Sequence, residues 1–132
     1  MIVRLLAVFL LLLLAPPMAQ AQLRGHGGPV RALAISPDGS EAISGSFDTS
    51  AIRWSLPQNA AEQVLRFHDG AVNAVLFLRD GRIATAGEDA RIAIWTPGKA
   101  QPSTVLQGHE APVVALALSP DCLLYTSPSP RD

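Results

Sequence analysis

An all-β chain built from repeated four-stranded antiparallel units is predicted by three features of the sequence. The only three histidines stand at His26, His68 and His109, spaced by 42 and 41 residues. Twelve residues after each comes a turn aspartate: Asp38 in Ser36-Pro37-Asp38-Gly39, Asp80 in Leu78-Arg79-Asp80-Gly81, and Asp121 in Ser119-Pro120-Asp121. Further along the first two units, Ser44, Asp48 and Trp54 match Thr85, Asp89 and Trp95, with tryptophan following aspartate by six. Agreement at so many positions of one period marks a repeated supersecondary unit.

The elements follow in chain order. Met1 to Arg4 carries one positive charge, Leu5 to Ala15 is uninterrupted apolar sequence, and Pro16 to Ala21 ends in Ala19-Gln20-Ala21. This is the three-part pattern of a signal-peptide helix, with cleavage expected after Ala21. Eleven apolar residues fall short of the ~20 a helix needs to cross a bilayer, so no stable membrane anchor is expected after cleavage. Neither a cysteine at the cleavage position nor an Arg-Arg pair is present, which leaves general secretion as the route.

From residue 22 to residue 121, turn chemistry and apolar patterning give strands near 30–36, 41–46, 51–55 and 63–67, then 72–78, 82–86, 91–96 and 103–107. A ninth follows near 113–119. Val30-Arg31-Ala32-Leu33-Ala34-Ile35 and Ala71-Val72-Asn73-Ala74-Val75-Leu76-Phe77 are apolar on both faces, as strands covered on both sides are. Leu33, Ile35, Ile43, Ile52, Val75, Phe77, Ile83, Ile92 and Ile94 are read as packing residues. Gly39 and Gly81 supply the positive φ that tight hairpins need. Groups of four short strands at this period are the blades of a β-propeller. The repeats run over about 23–64 and 65–106, with an incomplete third over 107–121, so the chain holds about two and a half blades, a propeller fragment.

With those residues in view, the chain resembles the WD-repeat (WD40) family. Gly25-His26 and Gly108-His109 fit its opening pair, the Ser-Pro-Asp-Gly segment fits its turn, and Trp54-Ser55 and Trp95-Thr96 keep the tryptophan of its closing pair. Phe67-His68 departs by replacing glycine, and neither tryptophan is followed by the family's aspartate. The resemblance implies a structural tetrad of buried hydrogen-bonding groups in each blade: His26, Ser44, Asp48 and Trp54; then His68, Thr85, Asp89 and Trp95; His109 opens the third. It also implies a partner-binding surface at the inter-blade loops, where Arg31, Phe47, Asn73, Glu88 and Val114 stand. Phe47 reads equally as an exposed anchor or as packing against the next blade.

Competing chemistry is weighed on the same residues. Serine, histidine and aspartate also make a hydrolase triad, but that needs one exposed nucleophile beside an oxyanion hole. Here the set recurs with a tryptophan in each complete unit, and no Gly-x-Ser-x-Gly elbow accompanies it. Histidines repeated once per blade point from different angles about the propeller axis and do not converge on a metal. No catalytic residue, metal or cofactor is therefore assigned. Without Arg4, Arg131 and Asp132 the remainder has eight basic and ten acidic residues, a balance that favours neither nucleic acid nor an anionic membrane.

Cys122 stands where the repeat predicts glycine, and Leu123 to Asp132 places serine and proline where the next strand belongs. The string 122–132 also resembles one reading frame of the transposase adapter used in short-read libraries, and is expected to be foreign to the domain. A closed seven-bladed ring needs about 290 residues at this period, so the fragment is expected to expose apolar surface and to aggregate or be degraded when expressed alone. The function expected is an exported, periplasmic or otherwise secreted, non-catalytic scaffold that binds a protein partner. The alternative is the front domain of a larger periplasmic redox protein or enzyme, such as a c-type cytochrome fusion, whose Cys-x-x-Cys-His motif would lie beyond Asp121.

Overall fold

The computed structural model describes residues 22–120 and the backbone of a strand at Leu124–Pro128. The signal segment predicted over 1–21, Cys122 and most of the tail lie outside the described residues. Ten strands lie among the described residues: β1 Val30–Ile35, β2 Glu41–Ser46, β3 Ser50–Ser55, β4 Ala60–Arg66, β5 Val72–Phe77, β6 Ile83–Gly87, β7 Ile92–Trp95, β8 Thr104–Leu106, β9 Val113–Leu118 and β10 Leu124–Pro128. They form two four-stranded antiparallel meanders, β1-β2-β3-β4 and β5-β6-β7-β8, and a hairpin of β9 with β10.

The turns do what their residues dictate. Gly39 and Gly81 adopt φ of +73° and +87°. In the first turn Asp38 accepts from the Ser36 hydroxyl at 2.6 Å and from the Ser40 amide at 3.0 Å, and Ser36 Oγ accepts the Glu41 amide. The observed strands match the expected positions to within a residue or two except β4. It begins three residues early, because Asn59 takes a left-handed φ of +49° and turns the chain straight back.

Packing between sheets, rather than within them, makes the core. Ile43, Ala51 and Leu65 of the first blade share one cluster with Val72, Val75, Phe77, Ile83, Ala93 and Trp95 of the second, with Ala32 and Ala34 against it. A second cluster joins Ala74, Ala84, Ala86, Ile92 and Ile94 to Val113, Leu116 and Leu118 of the third unit. Burying one such aliphatic side chain contributes about 1.5–3 kcal/mol, so a hairpin gains most when a neighbour covers its face. At the first seam the backbones approach so closely that a Cβ on Gly45 would lie 2.6 Å from Val72 Cγ1.

One expectation is corrected. Leu33 and Ile35, read as packing residues, are 65% and 52% exposed, because no blade covers their side of β1 among the described residues. Beyond Asp121, Leu124–Pro128 pairs with β9, Leu124 opposite Leu118 and Ser127 opposite Ala115. Edge pairing requires only backbone N–H and C=O groups, so this pairing is indifferent to side-chain identity.

Candidate functional site: blade tetrads and the inter-blade surface

In the first blade, His26 comes from the loop before β1, Ser44 from β2, Asp48 from the β2–β3 turn and Trp54 from β3. Trp54 donates its indole N–H to Ser44 Oγ at 2.7 Å; His26 Nε2 lies 2.7 Å from the same hydroxyl, and its Nδ1 lies 2.9 Å from Asp48 Oδ2. The second blade repeats the arrangement. Trp95 donates to Thr85 Oγ1 at 3.0 Å, His68 Nε2 lies 2.8 Å from it, and His68 Nδ1 is 3.0 Å from Asp89. The order indole to hydroxyl, hydroxyl to Nε2 and Nδ1–H to carboxylate satisfies each buried polar side-chain group of the two tetrads. His109 sits half-buried ahead of β9, in the position that opens the third unit.

Each carboxylate also gathers backbone donors. Asp48 accepts from the amides of Gly27 and Ser50 and from the Ser50 hydroxyl. Burial pushes its carboxyl up, but these bonds and the one from His26 outweigh it and hold it well below the usual range. Asp89 behaves alike: burial raises it, while His68, by hydrogen bond and by charge, and the amides of Asp69 and Arg91 bring it down.

Three features escape sequence reading. Thr49 and Ala90, equivalent residues just after the tetrad aspartates, are left-handed at φ +72° and +62°, although neither is a residue type that signals it. Where the second blade replaces the opening glycine, Phe67 packs edge-on to His68 and Trp95, and the Arg91 guanidinium lies 4.6 Å over its ring. Arg91 also bridges Asp69 and Asp89. The first blade has no room for such a ring, since a Cβ on Gly25 would meet Trp54 at 3.0 Å. Third, β1 and β5 each carry a bulge, at Arg31 and Asn73, that re-aims the side chain toward the next unit.

Those bulges sort the predicted binding residues. Arg31, Phe47 and Glu88 come together across the first seam: the Arg31 guanidinium lies 4.8 Å over the Phe47 ring and 3.7 Å from Glu88. Phe47 is 50% exposed among the described residues. Asn73 is not on that surface. It is buried, donating to the Val113 carbonyl of the third unit at 3.0 Å, and its Oδ1 finds no partner among the described residues. Val114 is exposed on β9.

The serine and the threonine of the tetrads are poor candidates for chemistry. Ser44 Oγ and Thr85 Oγ1 are each held by a tryptophan and a histidine, and both residues are buried. Stacked four-stranded meanders with one such polar chain apiece define a protein built from propeller blades. The WD domain, G-beta repeat model matches residues 18–55 and 60–96, and the chain belongs to that WD-repeat family.

Among curated relatives, methylosome protein WDR77 of Xenopus laevis is 35% identical over 81 residues, 60% of this chain and 24% of its own length. Ribosome biogenesis protein YTM1 of Eremothecium gossypii is 28% identical over 108 residues, 71% of this chain and 24% of that protein. The solved structure of U3-55K aligns at a TM-score of 0.66 and 26% identity, covering 70% of this chain and 29% of that one. The chain thus spans about a quarter of the length of these relatives.

Proposed function

We propose that this chain is part of an exported, non-catalytic scaffold that docks a protein partner over the seam between its first two blades. The observation that carries the reading is the Arg31–Phe47–Glu88 cluster, an exposed aromatic ring under a guanidinium, built by residues from two different blades. Aromatic and arginine side chains are enriched at interface hot spots. The engagement of Ser44 and Thr85 supports a non-catalytic role, because a hydroxyl already shared between an indole and an imidazole lacks an open line of attack on a substrate. Relatives named for a methylosome and for ribosome biogenesis agree with a protein partner. Export, with the periplasm as the destination, rests on the sequence of residues 1–21 alone.

The test is site-specific photo-crosslinking in the native host, with the crosslinker at Phe47 and, as control, at Gly39. A defined partner captured only from position 47, and lost in Arg31→Ala, is the expected result; equal capture from both positions overturns the seam as the docking site. N-terminal sequencing of the mature protein is expected to begin at Gln22, and a retained Met1 overturns export by cleavage. The second reading, the front domain of a larger redox protein or enzyme, draws on the chain's spanning only a quarter of its relatives. Covalent haem or substrate turnover in the protein isolated from its native host, with a Cys-x-x-Cys-His motif or an enzymatic domain encoded beyond Asp121, would select it.

A further inference from the structure

Arg31 and Arg91 each lie over a phenylalanine ring, and the two stacks are completed differently. Arg91 stands 4.6 Å over Phe67, donates from Nε to Asp89 Oδ2 at 3.1 Å, and donates from Nη2 to Asp69 Oδ2 at 2.5 Å. Arg31 stands 4.8 Å over Phe47, yet it makes no hydrogen bond among the described residues, and Glu88 Oε1 lies 3.7 Å from its Nη1. That is too long for a charge-assisted hydrogen bond, which runs about 2.7–2.9 Å. Arg53 and Arg82 are spent within their own blades, donating to Glu41 and Asp80. A guanidinium carries its N–H donors in one plane, and stacking on a ring orients that plane. Arg31 therefore holds a flat, oriented set of donors that the fold leaves unused.

The blades on both sides of this seam are described, so the neighbour that Arg31 faces is in place. Glu88 occupies the repeat position of Phe47, and its side chain is 46% exposed with the first blade seated beside it, so the position stays open next to a preceding blade. Gly28 and Gly70 keep the surroundings low. A Cβ on Gly70 would stand 2.9 Å from Glu88 Cβ, and one on Gly28 would stand 3.6 Å from Phe47 Cβ.

We infer that the partner docked over this seam presents a carboxylate, from an Asp or Glu side chain, to the open N–H groups of Arg31, with an apolar neighbour against the exposed part of the Phe47 ring. This rests on the reading of the seam as a docking surface and gives the chemistry of what docks there. The Arg91–Phe67 stack is the precedent within the same chain: a ring on one face of the guanidinium and carboxylates within hydrogen-bond reach of its donors. Charge complementarity favours an acidic segment, since a basic one would meet Arg31 directly. Glu88 works against the docked group, because it partly offsets the charge of Arg31 and repels a second carboxylate. It limits affinity rather than supplying a contact.

A phage-displayed library of random heptapeptides, panned on the full-length protein and depleted on its Phe47→Ala variant, is the test. The retained peptides are expected to be enriched in Asp or Glu beside an apolar residue. Replacing that carboxylate by its amide, or Arg31 by Gln, is expected to weaken binding about tenfold, the loss of one charge-assisted hydrogen bond. Arg31→Lys keeps the charge without the planar fork and is expected to fall between. Glu88→Gln is expected to tighten binding, by up to about fivefold at low salt. Weaker binding in Glu88→Gln overturns the inference, since Glu88 would then be a contact or a support for Arg31. Retained peptides that lack an acidic residue, or acidic ones indifferent to Arg31→Gln, overturn the carboxylate and leave the seam standing as a docking surface. Failure to retain any peptide that distinguishes the parent from Phe47→Ala overturns both. Arg31, Phe47 and Glu88 are all exposed, so the substitutions enter no core, and matching far-ultraviolet circular dichroism checks that each variant folds.

Discussion

Trp95 donates its indole N–H to Thr85 Oγ1 at 3.0 Å where neither residue reaches solvent, at 1% and 0% exposure. The same hydroxyl meets His68 Nε2 at 2.8 Å, so one atom serves two buried partners from different segments. Thr85→Val keeps the shape and removes the oxygen. Each stranded polar group costs about 1–3 kcal/mol, and the variant is expected to unfold at markedly lower urea, followed by tryptophan fluorescence. Thr85→Ser is expected to stay near the parent; equal loss in both variants would show that the methyl group, not the oxygen, is what matters.

Acid should weaken the fold through the turn and tetrad aspartates. Asp38 is held down to about 2, chiefly by the Ser36 hydroxyl and then by the amide and hydroxyl of Ser40. Asp48 and Asp89 are also lowered, since their hydrogen bonds outweigh burial. Unfolded aspartate titrates near ~3.9, so between that value and the folded ones the unfolded chain binds more protons. The stability these groups contribute is complete above about pH 5 and is lost as pH falls through the folded values. A urea midpoint that drops from about pH 4 toward pH 2, with a shallower drop in Asp38→Asn, is the expected result.

Gly45 marks the tightest approach between blades. A methyl group there would sit 2.6 Å from Val72 Cγ1 and 3.1 Å from the Val72 carbonyl oxygen, and backbone cannot swing away as a flexible side chain can. Gly45→Ala is expected to cost about 1–3 kcal/mol by overpacking and to speed amide exchange in β2 and β5 together. Unchanged exchange in β5 would mean the seam relaxes without opening.

Thr49 holds φ +72° with a β-branched side chain, a conformation that disfavours any residue bearing a Cβ. It persists because Asp48 Oδ1 accepts the Ser50 amide at 2.9 Å and the Thr49 amide reaches the Ser46 carbonyl. Thr49→Gly removes the clash and is expected to raise the thermal midpoint, by about 1 kcal/mol of stability at most, since glycine also gains freedom in the unfolded chain. A lowered midpoint would show that the threonine side chain makes up for the strain.

The sequence by itself determined the repeat and, with it, nearly every strand. His26, Asp48 and Trp54 recur as His68, Asp89 and Trp95 because a polar chain buried in each blade tolerates few residue types, and Asp-Gly turns are written in local backbone preference. What neighbours decide was not legible. Leu33 and Val75 are both apolar at the same repeat position, yet one is open and the other covered, since coverage belongs to the adjoining blade. Asn73 and Arg31 likewise share a bulge position, but Asn73 is sealed against the Val113 carbonyl while Arg31 lies across Phe47 toward Glu88. Local preference acts within a few residues of chain, whereas burial and ion pairing depend on which surfaces packing brings together, and only the tertiary structure decides that.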